Sequence, residues 1–428
     1  TPTMDAILIC GASFILFALL LRIPVAFAVG MCALTYGFIS GSIPMQAMVH
    51  RMSLATESWP IMAVPFFVLM GNTLNQGNSG KTMMDLANSL VGSFWGGLAS
   101  VSIVVSMFFG GCSGSAVADA SSVGTVLIPE MTRRGYGKGY SASVNAASST
   151  IGIIIPPSIP MILYGWITEV SIRDMFLAGL IPGILVGLLQ IAVAAWLGYR
   201  RDYYIAKRPG LPVVRRLFIK SIPALMTPVI VIGGILAGVY TTTEAAIFGA
   251  LYVIIIEMIF YKGLNLAQLY RIIVDSAKMT GVVLFLIATS FMLTYVIMIS
   301  RMPVLLSNEL QAILPNGTAM LLVTAGVLLV TGCFLDLAPS LLIFSPILYP
   351  LGLKFGVNPI HLGVVIVMVL AVGLFTPPVG QTLYISALIA KTPIEEVSRD
   401  IVWFFLAIGL VVLGVIFFPH LMMWPAGL

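Results

Sequence analysis

Charge is what this sequence has least of. Asp, Glu, Lys and Arg make up 9% of its 428 residues while 59% are hydrophobic. Soluble domains carry roughly 25% charged residues, so the composition excludes a water-soluble protein and requires one that crosses a membrane several times. Cysteine is scarce too: Cys10, Cys32, Cys112 and Cys333 all sit in apolar sequence, a spacing that implies neither a disulfide framework nor a metal cluster. The three histidines, His50, His361 and His420, are isolated from one another, which supports neither a zinc site nor a catalytic triad. No phosphate-binding loop argues for direct use of ATP, and no HExxH motif or nucleophile and base pair argues for an intramembrane enzyme. Movement of a solute has to draw on a gradient or a partner.

What is present is apolar sequence in runs long enough to cross a hydrocarbon core of about 30 Å. Spanning helices are expected over 5–21, 24–40, 60–77, 139–168, 174–199, 221–239, 243–261, 280–299, 360–390 and 401–418. The first run, DAILICGASFILFALLL, lacks a basic leader and a small-residue cleavage site and reads as a true span. Two further stretches, 94–130 and 318–352, read as hairpins that enter and leave on one side. With that assignment the loop RRDYYIAKRPGLPVVRR at 200–216 gathers on one side with Lys220 and ten other cations, leaving Arg51, Arg173, Arg301 and Lys354 opposite, a split of 17 to 4. The positive-inside rule makes the rich side cytoplasmic and puts both termini outside. A nucleic-acid patch is the other reading of that loop, and the membrane setting favours orientation. The amphipathic stretch SIPMQAMVHRMSLATES at 42–58 is open between lying on the bilayer surface and bracing other helices.

The chain repeats itself. At an ungapped shift of 221 residues Gly111 meets Gly332, Cys112 meets Cys333, Pro129 meets Pro350, Gly135 meets Gly356, Gly152 meets Gly373, and Pro156 with Pro157 meets Pro377 with Pro378. Two related units follow, 1–216 and 217–428. The charge map puts MTRRGYGKGY inside and its partner LGLKFGVNPIH outside, so the units run in opposite directions. Inverted repeats of this kind characterise secondary transporters, whose cargo binds near the midplane where the repeats meet. The fold class expected is an all-α polytopic membrane protein with two re-entrant helical hairpins and two broken helices.

Each unit carries a polar elbow and a diproline. The run FFGGCSGSAVADASSVGTVLIPEM at 108–131 and the tip TGCFLDLAPS of the second hairpin place Gly, Ser and Asp in oily surroundings. Non-helical chain survives at that depth only where protein or water covers it. IGIIIPPSIP at 151–160 and VGLFTPPVGQ at 372–381 interrupt the partner helices, because proline removes a donor and clashes with the preceding turn. A broken helix opposite a hairpin tip makes a cage of oxygens suited to Na+. One cage is expected from Ser113, Ser115 and the carbonyls of Gly152, Ile155 and Pro157; a second from Gly332 with Gly373, Phe375, Thr376 and Pro378. Close helix packing and proline kinks without an ion are the alternatives. Asp119, Glu244 and Asp336 lie at membrane depth, with Glu257 nearer the interface. Asp119 and Asp336 are expected to orient the tips by accepting backbone N–H bonds, with a role as ligand or proton carrier as the alternative.

The first hairpin, GVYTTTEAAIFGALY at 238–252 and TPPVGQTLYIS at 376–386 together resemble the large membrane subunit, the M or DctM-like component, of tripartite ATP-independent periplasmic (TRAP) transporters. The likeness covers essentially the whole chain; the threonine at Thr242 stands where the family's TPTEAA form has proline. The resemblance implies a bacterial inner-membrane protein of ion-transporter-superfamily architecture, working as a Na+-driven elevator. It also implies a four-helix small subunit Q and a soluble periplasmic binding protein P. Gly238 and Thr241 are added by it to the second Na+ site, beside the tip at Gly332. Family cargoes are mostly organic acids, and the sequence looks most like the sialic acid (SiaM) branch, which implies N-acetylneuraminate. With no cationic side chain evidently placed to grip a carboxylate, helix ends and the hydroxyls of Ser115, Ser158 and Ser340 are the expected substrate contacts. A C4-dicarboxylate cargo, or a self-sufficient Na+ and dicarboxylate symporter, is the alternative.

Overall fold

The computed structural model describes residues 9–21, 23–41, 43–203 and 209–427. Both chain ends, Arg22 and residues 204–208 of the basic loop lie outside the described residues. Every regular element among the described residues is a helix, as required of a chain whose backbone must satisfy itself in lipid. Among the described residues seven helices are long and apolar enough to span a membrane, eight counting one bent pair.

After a first helical segment ending in a π turn, Ile15–Leu20, come α1 Val25–Ser40, α2 Met45–Thr56, α3 Ala63–Gln76 and α4 Asn78–Val91. The first hairpin is α5 Gly97–Ser113 and α6 Ala116–Arg133; α7 Lys138–Ser148 and α8 Ile159–Thr168 flank the first diproline, and α9 Ile172–Arg200 follows. The second half contains α10 Leu211–Leu236, α11 Thr242–Ile255, α12 Leu266–Ile299 and α13 Met302–Ile313. Its hairpin is α14 Gly317–Phe334 and α15 Leu337–Lys354; α16 Pro359–Gly373 and α17 Gln381–Ala390 flank the second diproline, before α18 Ile394–Phe417 and the short α19 Pro419–Met422.

The sequence repeat is also a structural one. Helices α6 and α15 are both 18 residues long and start 221 residues apart. Each is followed by a left-handed glycine, Gly135 at φ +88 and Gly356 at φ +69. Beyond the diprolines the spacing becomes 222, because α8 starts two residues after Pro157 but α17 starts three after Pro378. The added residue is accommodated at Gly380, whose φ of +44 and whose close approach to the carbonyls of Thr376 and Leu374 both demand glycine.

One matched pair differs in shape. Helices α2 and α3, with the turn Trp59–Met62 between them, bend by 54°, whereas the equivalent residues 221 further on form the continuous 34-residue α12. Pro60 cannot continue a helix, and its counterpart Gly281 can. The amphipathic stretch left open above is therefore a brace: α2 packs on α12, burying Met48 and Ala55 and setting Arg51 over the Tyr295 ring at 5.1 Å.

Several helices exceed the expected spans. α10, α12 and α18 begin about two to four turns earlier than their apolar runs, and α4 and α13 were not expected at all. The extra turns carry mixed polar and apolar residues, most of them exposed at the starts of α10 and α12. Glu257 is enclosed by protein. It is fully buried, and its carboxylate accepts the N–H of Asn78 at 2.9 Å and of Ser79 at 3.0 Å. It thereby caps α4 from across the fold, with Gly77 and Gly263 packed against it.

The innermost elements are α7 and α16, buried along almost their whole length. Asn145 on α7 donates to the Ala120 carbonyl at 2.9 Å and to Ser386 Oγ at 2.8 Å, and Thr382 donates to the Ala146 and Leu374 carbonyls, both at 3.0 Å. These bonds tie the first hairpin and α7 to α17 of the other half. Replacing Glu257 with Ala strands two buried N–H groups and is expected to lower stability by about 1–3 kcal/mol. The thermal unfolding midpoint of the detergent-purified chain measures it, and an unchanged midpoint contradicts the trans cap.

Candidate functional site

Each hairpin turns on a short polar residue. Gly114 makes the first turn at φ +59, and Ser115 then caps α6 by accepting the Ala118 N–H at 3.3 Å. Asp336 holds the equivalent place and caps α15, its Oδ1 accepting the Leu337 N–H at 2.8 Å. Each tip lies against a helix break. A Cβ added at Gly114 would come within 2.7 Å of Ile159 Cγ1 at the start of α8. At the second tip the backbones themselves touch, since a Cβ at Gly373 would stand 2.7 Å from Gly332 Cα. Gly380 closes that junction by donating its N–H to the Cys333 carbonyl at 3.1 Å.

Between the tips is a cavity of about 230 Å³. Its wall repeats like the chain: Ser115 and Asp336, Ala116 and Leu337, Val117 and Ala338, and Ile153 and Leu374 line it 221 residues apart, and the helix starts Ile159 and Gln381 line it 222 apart. The first residues of four helices, α6, α8, α15 and α17, converge there. Val68 from α3 with Met279 and Val283 from α12 close the remaining side. Among the described residues the lining holds one acid, Asp336, and no Lys, Arg or His. Positive charge must therefore come from helix N-termini, each equivalent to about half a unit charge.

The expected substrate serines separate. Ser115 lines the cavity. Ser158 is fully buried behind it, donating to the Ile153 carbonyl at 2.5 Å and capping α8 through the Met161 N–H at 3.4 Å. Ser340 is also fully buried, one turn inside α15, and its hydroxyl has no hydrogen-bond partner. Its repeat counterpart is Asp119, equally buried and with both carboxylate oxygens unpartnered. Of the two acids expected to hold the tips by accepting backbone N–H bonds, Asp336 does so and Asp119 does not.

The expected ion-site residues also divide. The Ser113 side chain lies outside the described residues. Gly152 lies in the turn Ile151–Ile153, and Ile155 and Pro157 in the break between it and α8, whose first residue Ile159 meets the Gly114 tip. Gly332 and Gly373 meet directly, and Phe375, Thr376 and Pro378 follow within the same break. The Gly373 carbonyl accepts the Thr376 N–H at 3.1 Å, and Thr376 Oγ1 donates to the Val372 carbonyl at 2.6 Å. Gly238 and Thr241 keep other company. Thr241 caps α11 in a reciprocal box with Glu244, which accepts its N–H and its hydroxyl at 2.8 Å each. It lines a separate cavity of about 450 Å³ with Trp166 and Arg173. That neighbourhood shares no residue with the Gly332 crossing; the capping box fixes Thr241 at the α11 entrance instead.

Sequence reasoning missed the wall residues Gln381, Leu163, Val68, Met279 and Val283. Gln381 was within reach, since shifting Pro160 by 221 lands on it. The apolar ones carried no signal, being ordinary residues of apolar helices.

An all-helical, multi-span protein whose two halves each press a hairpin tip against a broken helix around one cavity has the construction of a membrane transporter. The chain belongs to the family described as the DctM component of the tripartite ATP-independent periplasmic transporter, which matches residues 12–421. It is 33% identical to the isethionate TRAP transporter permease protein DctMQ of Oleidesulfovibrio alaskensis, over 99% of this chain and 67% of that one. It is 32% identical to the C4-dicarboxylate TRAP transporter large permease protein DctM of Pseudomonas aeruginosa, over 80% and 81% of the two chains. In fold it is similar to the YdaH transporter of Alcanivorax borkumensis, whose crystal structure superposes with a TM-score of 0.63 at 13% identity across 99% of both chains.

Filling the cavity from Ala338 with Phe is expected to cut uptake at least about tenfold, equivalent to roughly 1.4 kcal/mol of binding, without moving the unfolding midpoint. Undiminished uptake by a folded variant removes the cavity from the transport path.

Proposed function

We propose that the chain is the transport subunit of a TRAP system in a bacterial inner membrane and carries an organic acid inward together with Na+. The observation that carries this reading is the cavity itself. Two repeat-related tips and four helix starts surround it, without a cationic side chain. Converging N-termini attract a carboxylate and leave no fixed cation to hold it permanently. Hard oxygens for Na+ come at the first junction from the hydroxyls of Ser113 and Ser115 and the carbonyls of Gly152, Ile155 and Pro157, and at the second from Gly332 with Gly373, Phe375, Thr376 and Pro378, to which the family likeness adds Gly238 and Thr241.

The halves cross the membrane in opposite senses, a reading that the 17 to 4 split of cations under the assigned spans favours. Hairpins and broken helices move as one body against a scaffold that includes α3 and α12, whose side chains close the cavity. The cargo arrives on a periplasmic binding protein, and a four-helix small subunit joins the scaffold; the fused name DctMQ of the isethionate relative favours the latter. Sialic acid is the cargo suggested by overall sequence likeness. A C4-dicarboxylate is the second reading, favoured by the relative of that name.

Uptake into proteoliposomes holding the chain, its small subunit and its binding protein tests both parts. Accumulation of N-acetylneuraminate under an inward Na+ gradient, and its loss in Na+-free medium, is the expected result. Equal rates without Na+ remove the coupling; preferential uptake of succinate replaces the cargo.

A further inference from the structure

Helix α10 begins in conditions that neither water nor hydrocarbon satisfies. Leu211 is 81% exposed, Phe218 50% and Ile219 54%, surfaces that water disfavours. Interleaved with them are Arg215, Arg216 and Lys220, all exposed, which hydrocarbon disfavours. The ion pairs found among the described residues involve Arg133, Arg134, Arg201 and Lys278, none of these three. No acid is available nearby in sequence, since residues 203–243 contain neither Asp nor Glu. Of the seven membrane-length helices α10 is the least enclosed, with 28% of its most apolar window buried. Leu211, Arg215 and Ile219 follow one another at four-residue intervals, on one face, and with Arg216 line a surface groove of about 520 Å³.

We propose that this face binds an anionic phospholipid of the cytoplasmic leaflet: its headgroup phosphate on Arg215, Arg216 and Lys220, its acyl chains along Ile219. Only the headgroup layer offers apolar contact and anionic oxygens within one helical turn, and long cationic side chains reach it by extending along the helix. Guanidinium groups pair with phosphate through two parallel N–H bonds, which gives the arginines the larger share. A free phosphate ion meets the cations but leaves the apolar residues bare, so the lipid is the occupant that satisfies both.

Native mass spectrometry of the full chain in a neutral detergent, supplied with phosphatidylglycerol or phosphatidylcholine, reads the site. The wild-type chain is expected to retain phosphatidylglycerol preferentially. R215Q/R216Q/K220Q should lose that retention by at least about fivefold with phosphatidylcholine adducts unchanged, while R215K/R216K, which keeps the charge but not the paired N–H bonds, falls between the two. Should the triple variant fail to fold, R216Q alone, which removes one exposed cation, is expected to show a partial loss. Retention unaltered in these Gln variants overturns the proposal, as does displacement of the lipid by millimolar inorganic phosphate. Displacement by a co-purified four-helix membrane partner also overturns it, assigning the face to protein.

Discussion

A peptide group in hydrocarbon has no water to turn to, and this constraint dictates how the centre of the molecule is built. Two hairpin turns and two broken helices would each be untenable facing lipid. Placed against one another they satisfy much of their own backbone, although Pro377 and Pro378 stay exposed. The Gly380 N–H finds the Cys333 carbonyl across the second junction, and Thr382 bonds the Leu374 carbonyl within the break and the Ala146 carbonyl across to α7. Gly332 and Gly373 let the backbones touch where any side chain would hold them apart. The remaining opening is the cavity, where helix ends stay free to meet a solute. Site and structural necessity are thus the same feature.

Duplication supplied this arrangement twice, and the copies then diverged where local chemistry allowed. Ser115 and Asp336 both cap a returning helix, one neutral and one acidic. Ser158 caps α8, whereas α17 starts after an extra residue from a left-handed glycine with no side-chain cap. The first diproline is buried and the second exposed. Asp119 and Ser340, buried and unpartnered at matching positions, show that the pairing extends behind the cavity wall. A repeated frame therefore encloses two unlike junctions.

Much of this was legible in residue order because lipid allows so few solutions. Glycine, serine and proline in an apolar run already mean covered irregular chain, and the 221-residue shift locates each feature a second time. Applied to Ser115 and Pro160 the same shift yields Asp336 and Gln381, two wall residues of the cavity. What stayed hidden depends on neighbours distant in sequence. Helix α4 lacks an apolar run and buries half of its residues against the rest of the fold. The partners of Glu257, 178 and 179 residues away, could not be read from its neighbours in sequence. Ser340 sits in the right motif but on the inward face of α15, and Thr241 follows its capping box to another corner.

The most direct test is the depth of the two tips. Nitroxides attached at Val117→Cys and Ala338→Cys, in a background without Cys10, Cys32, Cys112 and Cys333, report their position by accessibility to oxygen and to a water-soluble nickel complex in reconstituted vesicles. Both labels should lie near the bilayer centre yet be reached by the nickel complex through the cavity. A label at headgroup depth, or one at the centre reached only by oxygen, contradicts a shared, water-accessible junction of the two halves.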